Sequence, residues 1–121
     1  MNTEKQRIAI AEARGMIGPF ENSEEWFENG DSDGCMIVLR DATGKRVPDY
    51  LNDLNAMHEA EEVLLGDQRI IFLDELLDVL GIKLGPGGWD MDLYSVYLMT
   101  RATAEQRAEA FLRTIGKWED E

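Results

Sequence analysis

The sequence predicts a small α/β chain of the α+β kind: a sheet of two to four strands covered by about four helices. Three observations carry this expectation. Apolar residues recur at helical spacing over 48–65, 69–80 and 103–115, and capping patterns open the first and last helical stretches. Two short apolar runs, CMIVLR at 35–40 and MDLYSVYLMT at 91–100, carry the residue types of strands. The resulting order is helix, acidic loop, strand, helix, helix, strand, helix, with too few strands for a doubly wound sheet. At 121 residues and 44% apolar content, one domain with a real core is expected.

Thr3-Glu4-Lys5-Gln6 is a capping-box pattern, with Thr3 as cap and Gln6 able to reach back. The helix it opens should run to about Arg14 and stop at Gly15. Ile8, Ala9, Ile10, Ala11 and Ala13 spread around its axis, so it needs neighbours on more than one side or a close alanine-lined contact. From Gly18 to Gly34 the chain reads as irregular, with a short helical turn from Ser23 to Glu28. Residues 35–40 form a strand that is apolar on both faces and is therefore expected to be covered on both. Residues 41–45 make a turn, and Arg46-Val47 pair briefly.

Pro48-Asp49 is a helix-start signal. The helix over 48–65 has the longest clean periodicity and is expected to organise the core. Tyr50, Leu51, Leu54, Met57, Ala60, Leu64 and Leu65 share one arc, with Asn52, Asn55, Glu59 and Glu62 opposite. Glu61 breaks the pattern by standing in the middle of the apolar arc. A buried carboxylate without a partner is costly, so an arginine from another element is predicted to meet it, and Arg107 is the candidate.

Gly66-Asp67 separates this helix from the next, in which Ile70, Leu73, Leu76, Leu77 and Leu80 form the core face and Asp74, Glu75 and Asp78 point outward. Gly85-Pro86-Gly87-Gly88 is a turn without the lysine of a phosphate loop. Residues 91–100 are the second strand. Thr103-Ala104-Glu105-Gln106 repeats the capping box, and Ala104, Ala108, Phe111, Leu112 and Ile115 make the inner face of the last helix. Arg113 and Lys117 suit its C-terminal dipole, Gly116 ends it, and residues 118–121 form an exposed tail.

Twelve Lys and Arg face 25 Asp and Glu, a net charge of −13. Such a chain repels nucleic acid and acidic membranes and favours basic partners, although solubility alone would also explain the excess. Residues 17–39 carry Glu21, Glu24, Glu25, Glu28, Asp31 and Asp33 with no basic residue, and 49–68 carry another six acids with none. Trp26 and Phe27 sit within the first group. Either they tuck inward while the acids face water, or Trp26 anchors an acidic interaction surface. The single cysteine, Cys35, excludes an internal disulfide and suits a reducing compartment. The charged opening is unlike a signal peptide and no apolar run is long enough to span a bilayer, so a cytoplasmic protein is expected.

No catalytic motif is present. DSDG at 31–34 resembles the start of a calcium loop but lacks the further ligands. His58, with Glu61 and Glu62 at i+3 and i+4, is either a metal or acid–base site or a structural boundary residue hydrogen-bonded to a neighbour. There is no second histidine and no HExxH, and Cys35 is remote. No catalytic residue, metal or cofactor is assigned.

PDYLNDLNAMHEAEEVL at 48–64 and ATAEQRAEAFLRTIGKW at 102–118, with the opening IAIAEARG, resemble the small phage and prophage proteins grouped as the phage ABA sandwich domain. The resemblance implies a helix–sheet–helix sandwich, no enzymatic activity and a phage accessory role in the host cytoplasm. It supplies no site residues, and the acidic 17–39 stretch and GPGG turn depart from it. The expected function is a non-enzymatic binding protein docking on a basic surface of a host protein. A nucleic-acid-binding defence complex is such a host, met as an anti-CRISPR inhibitor or DNA mimic would meet it. Glu21, Glu24, Glu25, Trp26, Glu28, Asp31 and Asp33 are the candidate contacts. The alternatives are a small-molecule or metal-binding module at His58, Glu61 and Glu62, and a structural domain of a phage assembly.

Overall fold

The computed structural model describes residues 1–29, 32–83 and 93–120, with hairpin side chains described over 21–26 and 34–40. The fold is a small α+β arrangement. Among the described residues it holds five helices and one two-stranded antiparallel sheet.

Helix α1 (Thr3–Ala13) is capped by Asn2, whose side chain accepts from the Lys5 N–H at 2.8 Å, one residue before the expected cap. Gln6 does not reach back to the cap. It is buried, and its amide donates to the Met1 carbonyl at 3.1 Å. The helix ends as the sequence predicts, with Gly15 at φ 91°, a conformation that costs glycine little.

Strands β1 (Glu21–Asn29) and β2 (Ser32–Arg40) pair in continuous register from Glu21 opposite Arg40 to Asn29 opposite Ser32. The helical turn expected over 23–28 is therefore a strand, and the irregular loop is largely a hairpin arm. Glu, Asn and Ser are weak strand formers, so β1 takes its conformation from the β-forming residues of β2 across the ladder. The strand at 35–40 is present but open along its first half. Val38 and Leu39 are buried where the arm meets the helices, whereas Cys35, Met36 and Ile37 are exposed.

The 41–45 turn is held by Asp41, which accepts from the Thr43 hydroxyl (2.7 Å), the Thr43 N–H (3.0 Å) and the Lys45 N–H (2.9 Å). Beyond it Arg46 bridges to Arg40, with Val47 N–H donating to Leu39 O at 2.8 Å, as the brief pairing predicted. Arg7 fixes α1 to this segment by donating to the Val47 and Pro48 carbonyls at 2.7 and 3.2 Å.

Helix α2 (Leu54–Glu61) is shorter than the expected 48–65. Asp53, not Asp49, is its cap, accepting from Ala56 N–H at 3.2 Å. Asp49 instead closes a turn through its carbonyl, which accepts from the Asp53 N–H at 2.8 Å. The apolar arc holds at Tyr50, Leu51, Met57, Ala60 and Leu64, all buried, and fails at Leu54 and Leu65, which are exposed.

Helix α3 (Asp67–Val79) also departs from its predicted face. Phe72, Leu76 and Leu77 are buried and Leu80 is half-buried, while Ile70 and Leu73 are exposed. Apolar residues span well over half the circumference of this helix, so spacing alone does not select its inner side.

Residues 93–100 are helix α4 (Leu93–Thr100) and not a strand. Helical spacing stacks Tyr94 on Tyr97 at 6.5 Å between ring centroids, and brings the Arg101 guanidinium to the Tyr97 hydroxyl at 2.7 Å. Coverage on both sides is also overturned. Within α4 only Met99 is buried, and Leu93 is 88% exposed. The GPGG turn and residues 91 and 92 lie outside the described residues.

Helix α5 (Ala104–Thr114) has the full predicted capping box, Thr103 and Gln106 exchanging hydrogen bonds of 3.1 and 2.9 Å. Gly116 at φ 74° follows its end. Ala104, Ala108, Ala110, Phe111 and Leu112 are buried, and α5 packs against α1, α2 and α3. The core is thus organised on α5 rather than on the 48–65 segment. Trp118, expected in an exposed tail, is half-buried against the core.

Candidate partner-binding surface

Side chains of an antiparallel pair alternate between two faces, and residues directly opposite share a face. Glu21, Ser23 and Glu25 of β1 therefore stand with Met36, Val38 and Arg40 of β2. Asn22, Glu24 and Trp26 stand with Cys35, Ile37 and Leu39.

The first face is internally neutralised. Glu25 forms ion pairs with both Arg40 and Arg46, and Arg40 also donates to the Ser23 hydroxyl (3.1 Å) and the Gly44 carbonyl (2.7 Å). Glu25, grouped by sequence with the free acids, is thus held by two arginines from just beyond the acidic stretch. Glu21, at the base of the arm, remains exposed.

The second face is open. Glu24 is exposed, Trp26 is 75% exposed and Ile37 is 70% exposed. Trp26 lies opposite Cys35, and Ile37 opposite Glu24, so the indole and Ile37 are diagonal neighbours within reach of each other. Trp26 does not tuck inward. Ile37, assigned by sequence to a covered strand, extends the aromatic surface; a run apolar at every position from 35 to 39 carried no signal of it. Phe27, Glu28 and Asp33 belong to the strands, but their side chains, and Asp31 altogether, lie outside the described residues. Asp33 and Gly34 sit in β2 rather than in a calcium-loop turn.

The second constellation surrounds Glu61. Its carboxylate accepts from Arg107 Nε at 2.8 Å and Nη2 at 2.5 Å, with both side chains 13% exposed. The same guanidinium lies 5.4 Å from the Phe72 ring centroid. This is the partner the periodicity predicts. His58 and Glu62 are exposed on the rim of a cleft of about 290 Å³ that Arg69, Leu64 and Phe72 also line. Because Arg107 occupies both Glu61 oxygens, the three predicted residues do not converge as a donor set. Among the described residues no group of three or more His, Cys, Asp or Glu side chains is placed to hold a metal ion.

Five of the arginines are engaged by other groups of the chain. Arg7 holds loop carbonyls, Arg40 and Arg46 hold Glu25, and Arg107 holds Glu61. Arg113 on α5 meets Asp78 and Glu109 at 2.9 Å. Compared with protein-family models, curated proteins and solved structures, the chain matches none. No described helix is long and apolar enough to cross a membrane.

Proposed function

We propose that this protein is a non-enzymatic binding protein whose hairpin arm docks on a basic surface of a partner protein. The observation that carries the reading is Trp26, 75% exposed and flanked on its face by Glu24 and Ile37 in a chain of net charge −13. An exposed indole with the Glu24 carboxylate beside it supplies both an anchor and long-range steering toward cationic surfaces. Carboxylates held on a rigid ladder can occupy positions meant for phosphates, so a nucleic-acid-binding protein is the class of partner favoured, and the protein acts there as a mimic of DNA. A phage accessory, anti-defence setting rests on the resemblance of the two helical blocks. Binding should weaken steeply with added salt, and Glu21→Lys with Glu24→Lys should weaken it at any salt. Unchanged affinity in that variant removes the proposal.

A second reading places a small molecule in the cleft beside His58, Glu61 and Glu62, and makes metal binding the outcome to be tested. Calorimetric titration with divalent ions, and melting with and without chelator, tests it. Absence of heat and an unchanged midpoint count against it.

A further inference from the structure

The way β2 is tied to residues 45–47 fixes the direction of every backbone group in the arm. Val47 N–H donates to Leu39 O, and Asp41 N–H donates to Lys45 O, so the backbone groups of Leu39 and Asp41 face away from β1. In an antiparallel ladder these directions alternate along the strand. The groups of Arg40, Val38 and Met36 therefore face β1 and bond to Glu21, Ser23 and Glu25, their partners in register. The remaining β1 residues turn their N–H and C=O outward. At Glu24 and Trp26 these groups lie on the outer edge of a sheet that has only two strands, and among the described residues no backbone group pairs with them. The corresponding edge of β2 is occupied at its base by residues 45–47.

An open edge is a template for another strand, and its charge selects the occupant. An antiparallel second copy of β1 centred on Glu24 would set that carboxylate directly against its own copy, and like charges directly opposite are destabilising. A strand bearing Lys or Arg would place cations beside Glu24 on one face and Glu21 on the other, with an apolar residue against Trp26. We infer that the outer edge of β1 accepts an extended, basic strand of the partner protein, paired through the backbone groups of Glu24 and Trp26. This rests on the reading of the arm as the partner-binding surface, and adds the mode of recognition.

The test uses the full chain and two synthetic peptides of repeated Lys-Lys-Val-Val, a spacing that puts both lysine and valine on each face of a strand. One is built of L-residues. The other, of D-residues with methylated backbone nitrogens, has the same side chains and charge but cannot donate to a strand edge. The L-peptide is expected to bind about tenfold more tightly, the effect of one or two net hydrogen bonds. On its binding, amide hydrogen exchange should slow at Glu24 and Trp26 and change little at Ser23 and Glu25, whose amides already pair with β2. Glu24→Pro removes an outward N–H without touching the internal ladder and should abolish the difference between peptides, whereas Glu24→Gln should keep it. Should the proline unfold the arm, the exchange pattern of the unaltered protein still decides. Equal binding of both peptides with no slowing at Glu24 and Trp26 overturns the strand-addition inference and leaves the acidic-surface reading standing. Binding of neither overturns both.

Discussion

Arg107 on α5 grips both carboxylate oxygens of Glu61 on α2, at 2.8 and 2.5 Å, while its guanidinium covers the Phe72 ring of α3. One side chain thereby ties three helices together. Arg107→Ala strands a mostly buried carboxylate and is expected to cost about 2–4 kcal/mol, near the range for breaking a buried pair. The double variant Glu61→Leu/Arg107→Leu should cost less than the single one, because no uncompensated charge remains. Urea unfolding of the three proteins gives the comparison.

Asp41 governs the turn that returns the chain from the arm to the helices. Its hydrogen bond from the Thr43 hydroxyl, followed by those from the backbone of Lys45 and Thr43, holds its carboxyl below the ordinary value of 3.8. A folded pKa below the unfolded one gives stability that is full above 3.8 and is lost as pH falls from there through the lower folded value. Asp41→Asn should therefore be destabilised at neutral pH, with the gap to the unaltered protein closing in acid. Melting midpoints across that pH range check it.

Glu25 and Glu24 are adjacent in sequence but stand on opposite faces of the arm, the first ion-paired and the second exposed. Glu25→Gln loosens the Arg40 and Arg46 clamp, whose members are partly exposed, so a cost of up to about 1 kcal/mol is expected, with faster amide exchange along the arm. Glu24→Gln should leave the arm's exchange unchanged and weaken partner binding. Exchange measured on both variants separates clamp from contact.

The core is predicted to fail first at α5. Phe111, fully buried on the helix that meets α1, α2 and α3, should cost about 3–5 kcal/mol as Phe111→Ala. Thr103→Ala, which removes one half of the capping box, should cost about 1 kcal/mol. Denaturant midpoints at constant slope would establish both.

What was legible in the sequence was local or periodic. The Thr103 box, the stops at Gly15 and Gly116, and the Glu61 partner follow from caps, glycine and a single misplaced charge. What was hidden depended on contacts distant in the chain. β1 carries poor strand formers and takes its conformation from β2. The tyrosines and valine of α4 favour strands by type, yet no described strand stands beside them and helical spacing pairs Tyr94, Tyr97 and Arg101. The acidic surface was visible as composition, but the neutralisation of Glu25 was not, since Arg40 and Arg46 lie outside the acid-only stretch.

The arm is proposed, through Glu21, Glu24 and Trp26, to bind a basic partner. The most direct test is affinity purification of the protein and of the variant Glu21→Lys/Glu24→Lys/Trp26→Ala from the same expressing cells, once equal melting midpoints show both folded. A basic, nucleic-acid-binding protein should be retained by the unaltered chain, released by salt and absent from the variant. Recovery of the same partners by both proteins would contradict it.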